Sequence, residues 1–244
     1  MNFKALVLLG LICFTSSSLV KGAAHERLAK MKDETEKQIS PRDCASQYHD
    51  MMFRYTDQVV HYISWYMQNY GYDPKTMPDA ANTISAQDPN SVTWSGSFTT
   101  YNANMYDHSK FDTDWRMGLT CSGDFLEVEV VMNVPQIKIR SHFELDIAKS
   151  NHHGFIDSKV DDYSFHIKYT VSYSDMTVYD FRLSQENMSQ FSSDTNYYDP
   201  VISWTFSSIE SILGTTFSTV YNNEYQHIVT NALYSAFNSL KIIA

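Results

Sequence analysis

The chain has 244 residues, 43% of them hydrophobic, with 18 basic against 28 acidic residues and a formal net charge of −10. That balance argues against a nucleic acid or an anionic membrane held by bulk charge. Eight glycines leave little material for glycine-rich phosphate cradles.

Residues 1–22 read as a secretory signal peptide. Met1-Asn2-Phe3-Lys4 is basic, Ala5 to Phe14 is apolar, and Gly22-Ala23-Ala24 offers small residues for cleavage. The apolar run is too short to span a bilayer, and no later segment is apolar enough. A secreted, extracellular protein without integral membrane contact is expected. Of three cysteines, Cys13 lies in the leader, which leaves Cys44 and Cys121 in an oxidising compartment. The simplest reading joins them in one disulfide; the alternative is two buried thiols on apolar faces. Asn187-Met188-Ser189 is an N-glycosylation sequon in a polar stretch expected to be loop.

Residues 23–39 mix charges densely and are expected to form a flexible arm. Residues 40–244 show no internal repeat and read as a single domain. Ser40-Pro41-Arg42-Asp43 starts a helix with a serine cap and proline at the first position. Its apolar face carries Cys44, Tyr48, Met51, Met52, Tyr55, Val59, Ile63, Tyr66 and Met67, and Gly71 suits a left-handed stop. Tyr62 and Tyr70 lie off that stripe. Tyr72-Asp73-Pro74 through Met77-Pro78-Asp79 is a stiff linker, and Ala80 to Asn90 is expected to be loop.

The middle of the chain alternates with period two, as half-buried strands do. Trp94 and Phe98 share one face. Trp115, Met117, Leu119 and Cys121 share another, followed after Ser122-Gly123-Asp124 by Val128 and Val130. Pro135 bounds a strand with Ile137, Ile139, Phe143, Leu145 and Ile147 opposite Lys138, Arg140, His142, Glu144 and Asp146. Asn151-His152-His153-Gly154 reads as a turn. Phe165, Ile167, Tyr169, Val171 and Tyr173 then share a face, and Tyr179, Phe181 and Leu183 form the last strand. One apolar and one polar face per strand means an antiparallel sheet wet on one side.

Asp199-Pro200 opens the final element, a long amphipathic helix to Leu240. Ile202, Phe206, Ile209, Leu213, Phe217 and Val220 recur at helical steps, and the stripe resumes at Ile228, Ala232, Ala236 or Phe237, and Leu240. At 1.5 Å per residue the rod reaches roughly 60 Å. The strands are the material available to cover it. The fold class expected is α+β: a strongly curved antiparallel sheet wrapped around the C-terminal helix, with a second, N-terminal helix.

Three stretches resemble a known family. Tyr72-Asp73-Pro74-Lys75-Thr76-Met77-Pro78-Asp79 looks like a hinge after a first helix, and Asp175 to Leu183 looks like a final strand. Asp199-Pro200-Val201-Ile202 through Ala236-Phe237-Asn238-Ser239-Leu240 looks like a closing helix. Their order and spacing resemble the group 7 dust-mite allergens and their arthropod relatives. That family is similar in fold to one half of the bactericidal/permeability-increasing and lipopolysaccharide-binding proteins, and to the juvenile-hormone-binding and takeout-like proteins. The resemblance implies a secreted carrier or sensor of a hydrophobic small molecule or lipid, in an apolar channel between sheet and helix. Two features depart from the pattern. The hormone binders carry two closely spaced cysteines near the mature N-terminus, where this chain has Cys44. The lipopolysaccharide binders have basic tips, whereas this chain is acidic.

On this reading the ligand-lining residues are Trp94, Phe98, Trp115, Met117, Leu119, Val128, Val130, Ile137, Ile139, Phe143, Phe165, Ile167 and Tyr169 on the strands. Ile202, Phe206, Ile209, Leu213 and Phe217 complete the set on the helix. The competing reading is that these side chains meet one another and fill the centre. The protein would then be a secreted interaction or structural component of the same fold, with a protein partner and no bound ligand, of a salivary, silk-associated or immune-recognition kind. Catalytic readings are weak. His142, Glu144 and Asp146 alternate with inward apolar residues and belong to a solvated face. His152-His153 lacks a third ligand at a characteristic spacing, so the metal-dependent hydrolase they would make is the weakest option. No enzyme activity, cofactor or metal is expected.

Overall fold

The computed structural model describes residues 41–112 and 115–243, with side chains from 46 onward except 186 and 189. The expected leader, the charged arm and the Cys44 side chain lie outside the described residues. The chain divides into a unit ending at Gln47 and a larger one from Tyr48 onward.

Helix α1, Pro41–Asn69, crosses from one unit into the other. In the larger unit it buries Met52, Tyr55, Val59, Ile63 and Met67, the stripe expected from its periodicity. It stops before Gly71, whose φ of +72° is the left-handed conformation that removes a helix from its path. Strands β1 (Lys75–Thr76), β2 (Ala80–Gln87), β3 (Thr93–Tyr106), β4 (Arg116–Ser122), β5 (Phe125–Ile147), β6 (Ser150–Ser172) and β7 (Val178–Thr195) follow. They form one seven-stranded antiparallel sheet in the order β1-β3-β5-β6-β7, with β2 also on β3 and β4 also on β5. The sheet is not closed. Helix α2 (Pro200–Thr216), a π-helical turn (Phe217–Tyr221) and helix α3 (Asn222–Ser239) complete the chain. The protein is therefore α+β, with a large antiparallel sheet, an N-terminal helix and a long C-terminal helical rod.

The two longest strands, β5 and β6, have 23 residues each, enough to extend roughly 75 Å. Neither keeps one face buried throughout. In β5 the even-numbered residues Leu126 to Val134 are buried, and from Ile137 the odd-numbered ones are. β6 changes over at the same level, from Ile156, Ser158 and Val160 to Tyr163, Phe165 and Ile167. The β5–β6 register runs through this level without a shift, so the two strands change face together, β5 at Pro135 and β6 at Asp162, whose φ is +52°. In β3 a register shift around Asn102, at φ +51°, does the same between Thr100 and Ala103. The sheet thus has two halves. One is built from β4 and the adjoining parts of β5, β6 and β7. The other is built from β2, β3 and the remaining lengths of β5, β6 and β7.

Several sequence expectations change. Ala80–Gln87 is a strand rather than loop, because Ile84 and Ala86 alternate into the core opposite β3. Pro135 lies within β5 at the change of face instead of bounding a strand. The turn expected at Asn151–Gly154 sits earlier, at Ala148 and Lys149, both at positive φ. Asn187 is exposed but paired with Ser164 inside β7, so its sequon is on a strand and not a loop. Tyr179 points to solvent because the β6–β7 register shifts between Thr170 and Val171. Val220 is also exposed, since the π turn adds a residue and rotates the stripe, bringing Tyr221, Asn222 and Tyr225 inward. Leu240 lies just past the helix end as its cap residue.

Candidate functional site

The half of the sheet that faces α2 is apolar and mostly aliphatic. Ile84, Ala86, Phe98, Phe143, Leu145, Ile147 and Ile156 from the strands meet Ile202, Ile209 and Leu213 from α2 in one cluster. Half-buried Trp94, Phe191, Tyr197, Trp204 and Phe206 pack around it. Two glycines permit close approach to neighbouring chain within this half of the sheet. A Cβ on Gly96 would sit 1.9 Å from the Asp146 carbonyl oxygen, and one on Gly154 would sit 2.8 Å from the Phe143 ring. Helix α2 is tied to two different edges. Ser208 Oγ donates to the Ser85 carbonyl on β2 (3.3 Å), and Ser193 N on β7 donates to Glu210 Oε1 (3.0 Å).

At the N-terminus of α2 this seam opens into a concavity of about 530 Å³. Its lining comprises Asp194, Thr195, Tyr197, Tyr198, Asp199, Pro200, Ile202, Ser203 and Phe206. Asp199 caps the helix, accepting from Val201 N at 2.8 Å, so its carboxylate is held at the rim. Buried His152 approaches that carboxylate at 3.8 Å and pairs with Ser150 Oγ at 2.8 Å. The volume falls within the range of small-molecule pockets, roughly 300–1,000 Å³. An apolar wall with a few polar groups at the mouth can hold an apolar chain and orient a polar end.

Between the halves stands an aromatic centre. Tyr163, Phe165, Phe217 and Tyr225 are fully buried against one another, with Phe165 and Tyr225 centroids 5.0 Å apart. The Tyr163 hydroxyl donates to Asn222 Oδ1, whose amide donates to Gln185 Oε1 at 2.8 Å. The Tyr225 hydroxyl donates to the His108 carbonyl. Burial pushes the pKa of both tyrosines up, so they act as neutral donors.

The remaining half packs on α1 and the end of α3. Tyr169 lies under Tyr55 and Phe237, and its hydroxyl meets Thr56 Oγ1 at 2.7 Å. Burial pushes the Tyr55 hydroxyl up to about 12. Trp115 stacks on Phe53 at 4.5 Å, and Met117 sulfur lies 3.7 Å from Thr56 Oγ1.

The sequence-predicted ligand residues are therefore distributed over three places. Trp94, Phe98, Phe143, Ile202, Phe206, Ile209 and Leu213 come together against α2. Phe165 and Phe217 belong to the aromatic centre. Trp115, Met117 and Tyr169 lie under α1, on the half of the sheet that also buries Val128, Val130 and Ile167 and half-buries Leu119. Ile137 and Ile139 are buried in the other half of β5. Ile202 and Phe206 are the members that line the concavity. Tyr197, Tyr198 and Ser203 at its mouth were missed by sequence reading, although two tyrosines directly before a helix start are a usable signal. Cys121 is disulfide-bonded. No group of three or more His, Cys, Asp or Glu among the described residues could hold a metal ion. No described helix is long and apolar enough to cross a membrane.

No protein-family model matches this chain, and no curated protein matches it. Among solved structures it is similar to one described as lipopolysaccharide binding protein, at TM-score 0.42 and 11% identity. That match covers 78% of this chain and spans 38% of the other. It is also similar to Takeout 1 of Epiphyas postvittana, at TM-score 0.37 and 8% identity, covering 70% of this chain and 82% of that one.

Proposed function

We propose that this protein is a secreted, non-enzymatic carrier or sensor of a hydrophobic, lipid-like small molecule, bound at the seam between the sheet and α2. The observation that carries this reading is the concavity of about 530 Å³ walled by Tyr197, Ile202 and Phe206, continuous with the aliphatic cluster. A sheet curled about α2 is part of the same reading. It is supported by the bonds from Ser208 and Glu210 of one helix to β2 and β7, on opposite sides of the sheet order. A ligand burying roughly 300 Å² of apolar surface would gain on the order of 7 kcal/mol. That corresponds to micromolar-range binding before the cost of immobilisation.

The test is displacement of an environment-sensitive fluorescent fatty acid, with native mass spectrometry of the purified protein for co-purified lipid. Ser203→Trp fills the mouth from an exposed position on α2. Affinity should fall at least about tenfold with an unchanged unfolding midpoint. Probe binding that survives the substitution would remove the site.

One observation favours a second reading. Phe98, Phe143, Phe165 and Phe217 are at most 1% exposed, in contact with neighbouring rings rather than with open space. A protein filled in this way would act through its surface as a secreted interaction component. Repeated absence of lipid from protein made in several hosts, together with no probe binding, would favour it.

A further inference from the structure

A larger concavity, about 860 Å³, lies on the opposite, solvent-facing side of the sheet. The outward side chains of Tyr106, Lys138, Arg140, Asp157, Lys159 and Asp194 line it, and the buried Ile139 and Ser158 between them contribute to its floor. It adjoins the level at which β3, β5 and β6 exchange faces, β3 through a register shift at Tyr101–Asn104 that bends a strand.

Its charges are already matched. Lys138 Nζ meets Asp107 at 2.8 Å, and Arg140 donates through Nε and Nη2 to both oxygens of Asp157 at 2.7 and 2.9 Å. Three cations face three carboxylates in the lining, in a chain whose net charge is −10. Such a groove has no excess charge to draw a phosphate, a sulfated polymer or a metal ion. What it presents is an array of paired, solvent-accessible donors and acceptors. Hydroxyl groups, which both donate and accept, match that array without disturbing its charge balance.

The second observation is aromatic. Two residues along the same face from the Arg140–Asp157 pair, His142 stands opposite Phe155 with ring centroids 4.2 Å apart, and Tyr101 lies 5.3 Å beyond His142. Phe155 is 42% exposed on a face that is otherwise polar. A cross-strand aromatic pair also stabilises a sheet, but that role does not require a ring open to solvent beside a groove. An exposed ring face next to paired Arg and Asp groups complements a pyranose, which has an apolar C–H face and a hydroxylated edge.

We propose that this face binds a neutral oligosaccharide, with Phe155 and Tyr101 as the stacking platform and Arg140, Asp157, Lys138 and Lys159 as hydrogen-bonding partners. From Gln136 to His142 the strip runs roughly 20 Å, long enough for several linked rings. This site is independent of the lipid-like ligand proposed for the other face.

The experiment is calorimetric titration of the full chain with cellohexaose, chitohexaose, laminarihexaose and maltohexaose, alongside a sulfated heparin hexasaccharide. At least one neutral hexasaccharide should bind, and the sulfated one should not bind more tightly. Phe155→Ala should weaken binding at least tenfold with an unchanged unfolding midpoint. The pair change Arg140→Ala with Asp157→Ala, which keeps the net charge, should weaken it comparably. The proposal is overturned if no neutral hexasaccharide binds at millimolar concentration or if only the sulfated one binds. It is also overturned if both variants bind as the parent does.

Discussion

The two halves of the sheet bury the same kind of strand face in different ways. Against α1, aromatic side chains carry polar tips that find partners, as in Tyr169 with Thr56. The aromatic centre beside it closes with Tyr163 on Asn222 and Tyr225 on the His108 carbonyl. Against α2 the fill is mostly branched aliphatic around the stacked Phe98 and Phe143 rings, which carry no polar tips, and bulky rings at its rim stay half-buried. Hydrogen-bonded tyrosines have one acceptable geometry, because a buried hydroxyl without a partner is costly. Aliphatic packing tolerates rearrangement more readily. The difference assigns rigidity to the centre and the α1 half, and adaptability to the seam that opens at α2.

That contrast can be broken most sharply by truncation. Tyr225→Ala should cost about 3–5 kcal/mol in denaturant unfolding, as removal of a fully buried aromatic does. Phe206→Ala, at the half-buried rim of the seam, should cost no more than about 2 kcal/mol. Equal losses would erase the distinction. Next in size, Thr56→Val should cost about 1–3 kcal/mol by leaving the Tyr169 hydroxyl without its partner, while Thr56→Ser should retain most of the stability.

A pH series sharpens the same comparison. His108 is fully buried, and burial lowers its pKa against the opposing pull of Asp73 at 3.5 Å. Asp107, its neighbour in sequence, and Lys75 on β1 also act on it, and the Tyr225 ring stands against it at 5.2 Å. The unfolded chain therefore takes up a proton near pH 6.5 that the folded chain resists. Its contribution to stability is complete above that pH and is lost as the pH falls toward the lowered folded value. Unfolding midpoints between pH 7.5 and 5 should decline, and His108→Gln should flatten the decline. An unchanged slope would place the titration elsewhere. The smallest expected stability effect is that of Ser203→Trp, within about 0.5 kcal/mol, so any loss of probe binding would report on the concavity alone.

How far the sequence leads differs from element to element. The alternation of Ile137, Ile139, Phe143, Leu145 and Ile147 is periodic, and the structure buries all five. Asp199-Pro200 marks the start of α2 because capping involves groups within one turn. Of the candidate site, the helix residues Ile202 and Phe206 were visible in their stripe, whereas Tyr197 and Tyr198 belong to no period. The polar groove was not visible at all, since Lys138 and Arg140 read simply as a wet face, and only the cross-strand register joined Asp157 and Lys159 to them.

Local order thus followed from composition and spacing: an α+β chain, strands with one dry face, and a rod at the C-terminus. Those features depend on neighbours a few residues apart. The exchange of faces at Asn102 and Asp162, the π turn that turned Val220 out and Tyr221 in, and the ion pairs across β5 and β6 came from the tertiary structure. Each depends on partners distant along the chain: a one-residue change in a strand reverses every side chain after it, and an added helical residue rotates the stripe by about 100°, without altering the periodic pattern on either side.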